Sequence, residues 1–208
     1  MRKLVIINIM SLDGCYEGPG RNVMALPMDG TFDSYNLERM RAADTVLLGH
    51  NSYQMFSGFW PSMADNPDAS PTHREFARLY NAIDKVAVSD HMTLKDTGPW
   101  RDTTSIIGGD NVYDEITKLK HKTGKDIIVF GSRALWNDLL ANGLVDELHF
   151  MIGNVVLGDG TPIFIEPIAY NDPKLSLQLI DSRKFKGSEN LLVQYEVKYK
   201  NAKAQQEN

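Results

Sequence analysis

The chain has 208 residues, is 42% hydrophobic and carries a formal net charge of -5. That length suffices for one domain with a full core, while the acidic balance and dispersed Lys and Arg give no field to attract nucleic acid or an anionic membrane. A single cysteine, Cys15, excludes an internal disulfide framework and a multi-cysteine zinc site, which fits a reducing compartment.

In chain order, the first signal is the apolar run Leu4 to Ile9 behind Met1-Arg2-Lys3. It is far shorter than the roughly 18 to 20 apolar residues of a membrane span. Asn8 interrupts it and no small-residue cleavage site follows, so a buried first strand is expected rather than a signal peptide, and a cytoplasmic location with it. A helix from Asp33 to Ala43 follows the cap-like triplet Thr31-Phe32-Asp33, and Val46 to Leu48 is the next strand. Gly58 to Ser70, rich in Gly, Pro, Asp and Asn around Phe59-Trp60, has the composition of a long surface loop. After Pro71, the spacing Thr72-His73-Arg74-Glu75 is that of a capping box opening a helix to Asn81.

Val86 to Val88, Ser105 to Ile107 and Ile127 to Phe130 continue the series of buried strands. Asp110 is placed to cap a helix in which Val112, Ile116 and Leu119 share a face, and Ser132 to cap the next, stopped by Gly143 in the left-handed conformation. Strand and helix thus alternate, which predicts an α/β fold with a mainly parallel sheet flanked by helices. From Leu148 the pattern changes: Leu148 to Ile152, Leu175 to Ile180 and Leu191 to Tyr199 follow one another without helices, predicting antiparallel strands at one edge. One domain over 1–200 is expected, with a frayed polar tail over 201–208.

Five blocks carry the functional information. They are Ser11-Leu12-Asp13-Gly14; Asp44 to Phe56 with Phe59-Trp60-Pro61 beyond; Lys85 to Ser89; Asp126 to Leu140; and Gly143 to Phe164, with its acidic pair Asp146-Glu147 and closing Gly158-Asp159-Gly160. In this order they resemble the stand-alone relatives of the reductase domain of riboflavin biosynthesis, a family sharing the dihydrofolate-reductase-like fold. The resemblance implies a reductase that transfers hydride from NADPH to a ribosylamino-pyrimidine, with dihydrofolate or another pterin as alternative substrate. A symmetric homodimer is implied too.

The same resemblance assigns the dinucleotide to three turns at strand ends: Gly49, His50 and Ser52; Ser89; and Gly131 with Ser132. Glycine admits close backbone approach, and a helix N-terminus offers unpaired N–H groups to a phosphate. The chain departs from the family where NADP is distinguished, with His50 after Gly49 and Asp90 after Ser89 in place of arginine. A carboxylate there repels a 2′-phosphate, which opens NADH as the alternative cofactor.

Asp33, near the start of the helix before Gly49, resembles the substrate-binding acid of dihydrofolate reductases, with helix capping as its competing role. Asp13 is a second candidate acid, in a turn where Asp-Gly is also ordinary. Tyr53, Phe56 and Trp60 are candidates to stack on a planar ring, Trp60 foremost because of its expected loop, whereas Trp136 is expected in the core. The deaminase pattern H-x-E with P-C-x-x-C is absent from the sequence, and so is any zinc-protease or nucleophile-elbow motif. A non-catalytic binder retaining the fold is the rival from a different functional class.

Overall fold

A computed structural model describes residues 1–94, 97–165 and 175–200. The expected tail over 201–208 lies outside the described residues. The chain alternates as anticipated: β1 (Leu4–Met10), β2 (Cys15–Glu17), α1 (Gly30–Ala42), β3 (Ala43–Gly49), α2 (His50–Met63), α3 (Pro71–Ala82), β4 (Asp84–Val88), β5 (Thr104–Ile107), α4 (Val112–His121), β6 (Asp126–Phe130), α5 (Arg133–Ala141), β7 (Glu147–Ile152), β8 (Thr161–Pro162), β9 (Leu175–Lys184) and β10 (Leu191–Tyr199).

Among the described residues the main sheet has the order β5-β4-β3-β6-β1-β7-β10-β9, and β2 and β8 form a small separate ribbon. All neighbours from β5 to β7 are parallel, and β10 and β9 are antiparallel additions. The antiparallel edge therefore begins one strand later than the sequence indicated. Helix α5 returns the chain across the sheet before β7, so β7 enters parallel to β1.

Strand periodicity explains the layering. Val5, Ile7 and Ile9 of β1 face one apolar layer with Tyr35, Met40, Phe76, Tyr80 and Trp100, while Leu4 and Ile6 face the other with Ile116, Trp136 and Leu139. The central strands are apolar on both faces because helices cover both. Trp136 is fully buried in the second layer, against Phe150 and Phe164.

Helix boundaries depart from the sequence expectation in ways that matter for the site. Asp29, not Asp33, caps α1, its carboxylate accepting from the Thr31 and Phe32 amides at 3.0 and 3.1 Å. Asp33 is thereby freed from capping. Ser70 caps α3 by accepting from the His73 amide at 3.1 Å, so the box expected at Thr72 to Glu75 does not form. Asp110 falls in a short 3-10 turn, and Asn111 precedes α4 instead.

The largest departure is α2, which extends through Gly58 and Pro61 to Met63 where a loop was expected. Gly and Pro cost a helix interior about 1 and 3 kcal/mol respectively. Burial offsets that cost: Phe56 packs on Tyr80 at 6.1 Å, and Trp60 on Phe76 at 4.5 Å between ring centroids.

The N-terminal ends of the parallel strands are tied by polar groups that find partners within the protein. Buried Arg2 pairs with Asp44 and donates to Thr45 Oγ1 and Lys125 O, both at 2.7 Å. Buried Lys120 reaches Leu144 O at 2.6 Å and Asp146 at 2.7 Å. Lys85 donates to Ile83 O at 2.7 Å and Thr103 Oγ1 at 2.9 Å, with its ammonium 4.8 Å from the Trp100 ring centroid. Near them, His149 is held between Tyr35 Oη at 2.7 Å and Glu147 at 2.9 Å, and Lys3 caps Glu147 at 2.6 Å. The His149 hydrogen bond and Lys3 hold the Glu147 carboxyl down at about 2.

Candidate active site

At the opposite end, the turns leaving β3, β4 and β6 converge. The Gly49 amide donates to Ser132 Oγ at 3.1 Å, and the Ser132 amide donates to Ser52 Oγ at 3.0 Å. These two bonds lock the N-terminus of α2 to that of α5. Ser89 Oγ sits 3.5 Å from His50 Nδ1 and also accepts from the His91 and Met92 amides at 3.3 and 3.1 Å. Asp90 accepts from the Gly109 amide at 2.5 Å, fastening the β4 turn to the β5 turn.

Neither α2 nor α5 carries a side-chain cap: the expected cap Ser132 spends its hydroxyl on Gly49 instead. Their first-turn amides therefore keep the donor capacity of an uncapped helix end. Gly131 and Ser132 both take positive φ, 59° and 50°, and a Cβ on Gly131 would lie 3.3 Å from Tyr16 Oη and 3.5 Å from Phe56 Cζ. The Gly131 position is a backbone cradle that a side chain would fill.

The cradle borders a cavity of about 450 Å³. Its walls come from Ile7, Asn8 and Ile9 of β1; Phe32, Asp33 and Asn36 of α1; Met55, Phe56, Phe59 and Trp60 of α2; and His73, Phe76 and Tyr80 of α3. Tyr16, Val23, Met24, Leu26, Met28 and Phe130-Gly131 complete it, Met24 and Met28 being exposed. Asp33 and Asn36 share one face of α1 by their i, i+3 spacing. Asp33 Oδ2 lies 2.8 Å from His73 Nε2. Desolvation raises the Asp33 carboxyl above its usual range, although His73 opposes the shift.

Three lining side chains end in a solvent-shielded polar atom with no hydrogen-bond partner among the described residues: Asn8 Nδ2, Asn36 Oδ1 and Tyr80 Oη. Leaving such an atom unmatched costs about 1 to 3 kcal/mol; Arg39 Nε and Trp136 Nε1, away from the cavity, are unmatched as well.

The structure thus brings Gly49, His50, Ser52, Ser89, Gly131 and Ser132 into one junction and places Asp33 and Trp60 in the adjoining cavity. Trp60 reaches it from a helix, not from the expected loop, with its ring 5.9 Å from that of His73. Tyr53 does not line the cavity; its ring packs on Trp100 at 6.0 Å and its hydroxyl is 3.4 Å from Thr104 Oγ1. Asp13 is outside it as well. Its carboxylate ties the first turn to the Leu157 and Gly158 amides at 3.1 and 2.7 Å, and Ser11 first, then those amides, draw it down to about 2.

Sequence reasoning missed His73, Asn36, Tyr80 and Asn8 as site residues. Asn8 did give a signal, a polar residue in the middle of an otherwise apolar strand. Asn36 is legible only once the start of α1 is fixed.

The fold agrees with comparisons to known proteins. The family model described as the RibD C-terminal domain matches residues 2–189, and the chain belongs to that family. It is 30% identical over 184 residues to the uncharacterized protein YyaP of Bacillus subtilis, covering 88% of this chain and 89% of that one. A crystallised protein ascribed to riboflavin biosynthesis in Shewanella sp. PV-4 is similar with a TM-score of 0.69 at 21% identity, over 94% of this chain and 99% of that one. Dihydrofolate reductase of Enterococcus faecalis, solved with NADP(H), shares the fold with a TM-score of 0.55 at 12% identity, over 96% of each chain.

Proposed function

We propose that the chain is a nicotinamide-nucleotide-dependent reductase of a planar nitrogen heterocycle. The observation that carries this reading is the contact of two features: the linked N-termini of α2 and α5 end at Gly131, and Gly131 lines the cavity that contains Asp33. The amides of His50 to Ser52 and of Gly131 would hold the dinucleotide, those of Gly49 and Ser132 being spent on the link between the two helices, with the Gly131 cradle admitting its close approach. When bound, that nucleotide supplies the hydride.

The chain's own residues do the rest. Phe56, Trp60 and Phe32 clamp a flat ring, and the apolar wall excludes water. Asp33, raised by burial, presents a proton to the nitrogen of a C=N bond, a ring nitrogen in a dihydropterin or the exocyclic nitrogen in the open imine form of a ribosylamino-pyrimidine, as its carbon accepts hydride. One C–H and one N–H bond form, the C=N π bond breaks, and the carboxylate left behind is stabilised by His73 at 2.8 Å. A ribosylamino-pyrimidine and a dihydropterin are the two substrate types the family and the fold bring forward.

The Asp90 carboxylate opposes a 2′-phosphate beside His50, so NADPH and NADH are both to be tested. The same reading takes the protein as a homodimer, supported by the exposed Leu177, Leu179 and Ile180 of edge strand β9. No helix among the described residues is long and apolar enough to cross a membrane.

Thermal unfolding with saturating NADPH and NADH is the deciding experiment. Nucleotide at 100 times its dissociation constant adds about 2.7 kcal/mol. A raised midpoint with one of them, followed by substrate-dependent oxidation of that nucleotide, is the expected result. A raised midpoint without oxidation by either substrate type defines a non-catalytic binder, and no shift with either nucleotide removes the reductase reading.

A further inference from the structure

We infer that the substrate of this site is an unphosphorylated heterocycle, bound by its lactam-like edge and not through a phosphate anchor. The inference rests on the reductase reading of the same cavity and adds the substrate class.

The charge of the walls carries the argument. Among the described residues that line the cavity, the ionisable groups other than tyrosines are Asp33 and His73, paired with one another at 2.8 Å, and no Lys or Arg is present. Lys85, 6.0 Å from the Tyr80 ring centroid, is committed to Ile83 O and Thr103 Oγ1, and Arg133 acts on Tyr16 from outside the lining. Its guanidinium is already committed to Pro162 O at 2.5 Å and Phe164 O at 3.2 Å. A phosphate in the cavity would shed its hydration without gaining a charged donor, and would meet the Asp33 carboxylate. The walls therefore repel the handle that a phosphorylated substrate would offer.

What the walls lack in cations they hold in unmatched neutral groups. Asn8 leaves an amide nitrogen free and Asn36 a carbonyl oxygen, each shielded from solvent. An acceptor and a donor, the pair that a lactam edge carries, are the groups that would match them. Tyr80 Oη, also unmatched, can donate or accept as an exocyclic group requires. Neutral hydrogen bonds and aromatic faces are thus the recognition chemistry of the cavity, with the Asp33–His73 pair set against a ring nitrogen.

Equilibrium binding, read through tryptophan fluorescence of the full chain with the stabilising nucleotide present, tests this with two matched pairs. They are 5-amino-6-(ribosylamino)uracil with and without its 5′-phosphate, and dihydroneopterin with and without its phosphate. The expected result is that at least one pair binds and that removing the phosphate tightens binding by about tenfold or more. Within that pair, Asn36→Leu should weaken the unphosphorylated form by about tenfold, and Asp33→Asn should narrow the phosphate discrimination. Tighter or equal binding of the phosphorylated member overturns the inference, and so does binding of no member. The reductase reading fails separately, when neither NADPH nor NADH raises the unfolding midpoint.

Discussion

The two ends of the same parallel sheet bury polar groups in opposite states. At the N-terminal end, Arg2, Lys85 and Lys120 are buried, yet each reaches two or more oxygen partners. Toward the C-terminal end, Asn8 and Asn36 keep a shielded atom without one, two helices start without a side-chain cap, and Gly131-Ser132 holds a left-handed pair, whereas Arg39 Nε is a shielded atom left unmatched at the N-terminal end. Completed networks stiffen a fold, whereas incomplete ones are finished by something that binds. The difference assigns stability to one end and chemistry to the other, in keeping with the general placement of ligands beyond the carboxyl ends of strands.

Asp33→Asn should separate the two ends most sharply. Loss of general-acid catalysis lowers kcat by about 10²- to 10⁴-fold. Stability should hold or rise, because the Asp33 pKa is raised in the folded state. The carboxyl then favours folding only while protonated, and that contribution is lost as pH rises through the folded value, so at neutral pH the ionised group opposes folding. In the parent protein kcat should fall with rising pH through the same titration, and the asparagine variant should lose that limb. Steady-state rates across pH together with urea unfolding give both readings; unchanged kcat would remove Asp33 from the mechanism.

Arg2→Ala attacks the other end. It leaves Asp44 without its buried partner and should cost about 3 kcal/mol in urea unfolding, while kcat of the folded fraction and the nucleotide-induced shift stay as in the parent. A change in nucleotide binding would show that the two ends are coupled.

The contrast was only half visible in the sequence. Alternating apolar runs and polar turns exposed the parallel sheet, whereas Gly49, Ser89 and Gly131 stood out through the family resemblance and through their recurrence at three strand ends, since one such turn alone is ordinary capping chemistry. The helix boundaries were harder, because Asp29, Asp33 and Ser70, Thr72 all have capping chemistry and local pattern does not rank them. That ambiguity hid His73, which looked like the inside of a capping box, and left Asp33 divided between two roles. Trp60 was assigned to a loop because Gly58 and Pro61 signal one locally, whereas contacts with Phe76 and Tyr80 from a separate helix decide the outcome. Tertiary packing overrode local propensity where the cavity wall is built.

Acid should probe the completed end by titration. Glu147 is held at about 2 by His149 and then Lys3, below its ordinary value. A depressed carboxyl stabilises above its unfolded pKa and loses that contribution as pH falls through the folded one. Unfolding free energy should therefore drop by on the order of 2 kcal/mol between about pH 4.5 and pH 2. Glu147→Gln should be less stable at neutral pH and show a flatter acid limb; an unchanged limb would mean that the pair is replaced equally well in the unfolded chain.

Gly131→Ala should have the smallest effect on stability and the most local one. At a φ of 59° an L side chain costs about 1 to 2 kcal/mol. The added Cβ lies 3.3 Å from Tyr16 Oη, which must give by a few tenths of an ångström, and 3.5 Å from Phe56 Cζ, an ordinary contact. The methyl also occupies the cradle through which the nucleotide would approach the backbone. If the junction only links two helices, the variant should lose stability alone and respond to nucleotide as the parent does. If it holds the nucleotide, the midpoint shift on adding NADPH or NADH should shrink by more than the stability loss accounts for, and KM for the nucleotide should rise while KM for the heterocycle changes little. Ser132 sharpens the distinction: it too is left-handed, but its hydroxyl receives the Gly49 amide, so Ser132→Gly relieves strain while cutting one of the two bonds of the α2–α5 link. A nucleotide site needs both the open cradle and that link, and should be weakened by either change, whereas a purely structural junction should tolerate the glycine better than the alanine.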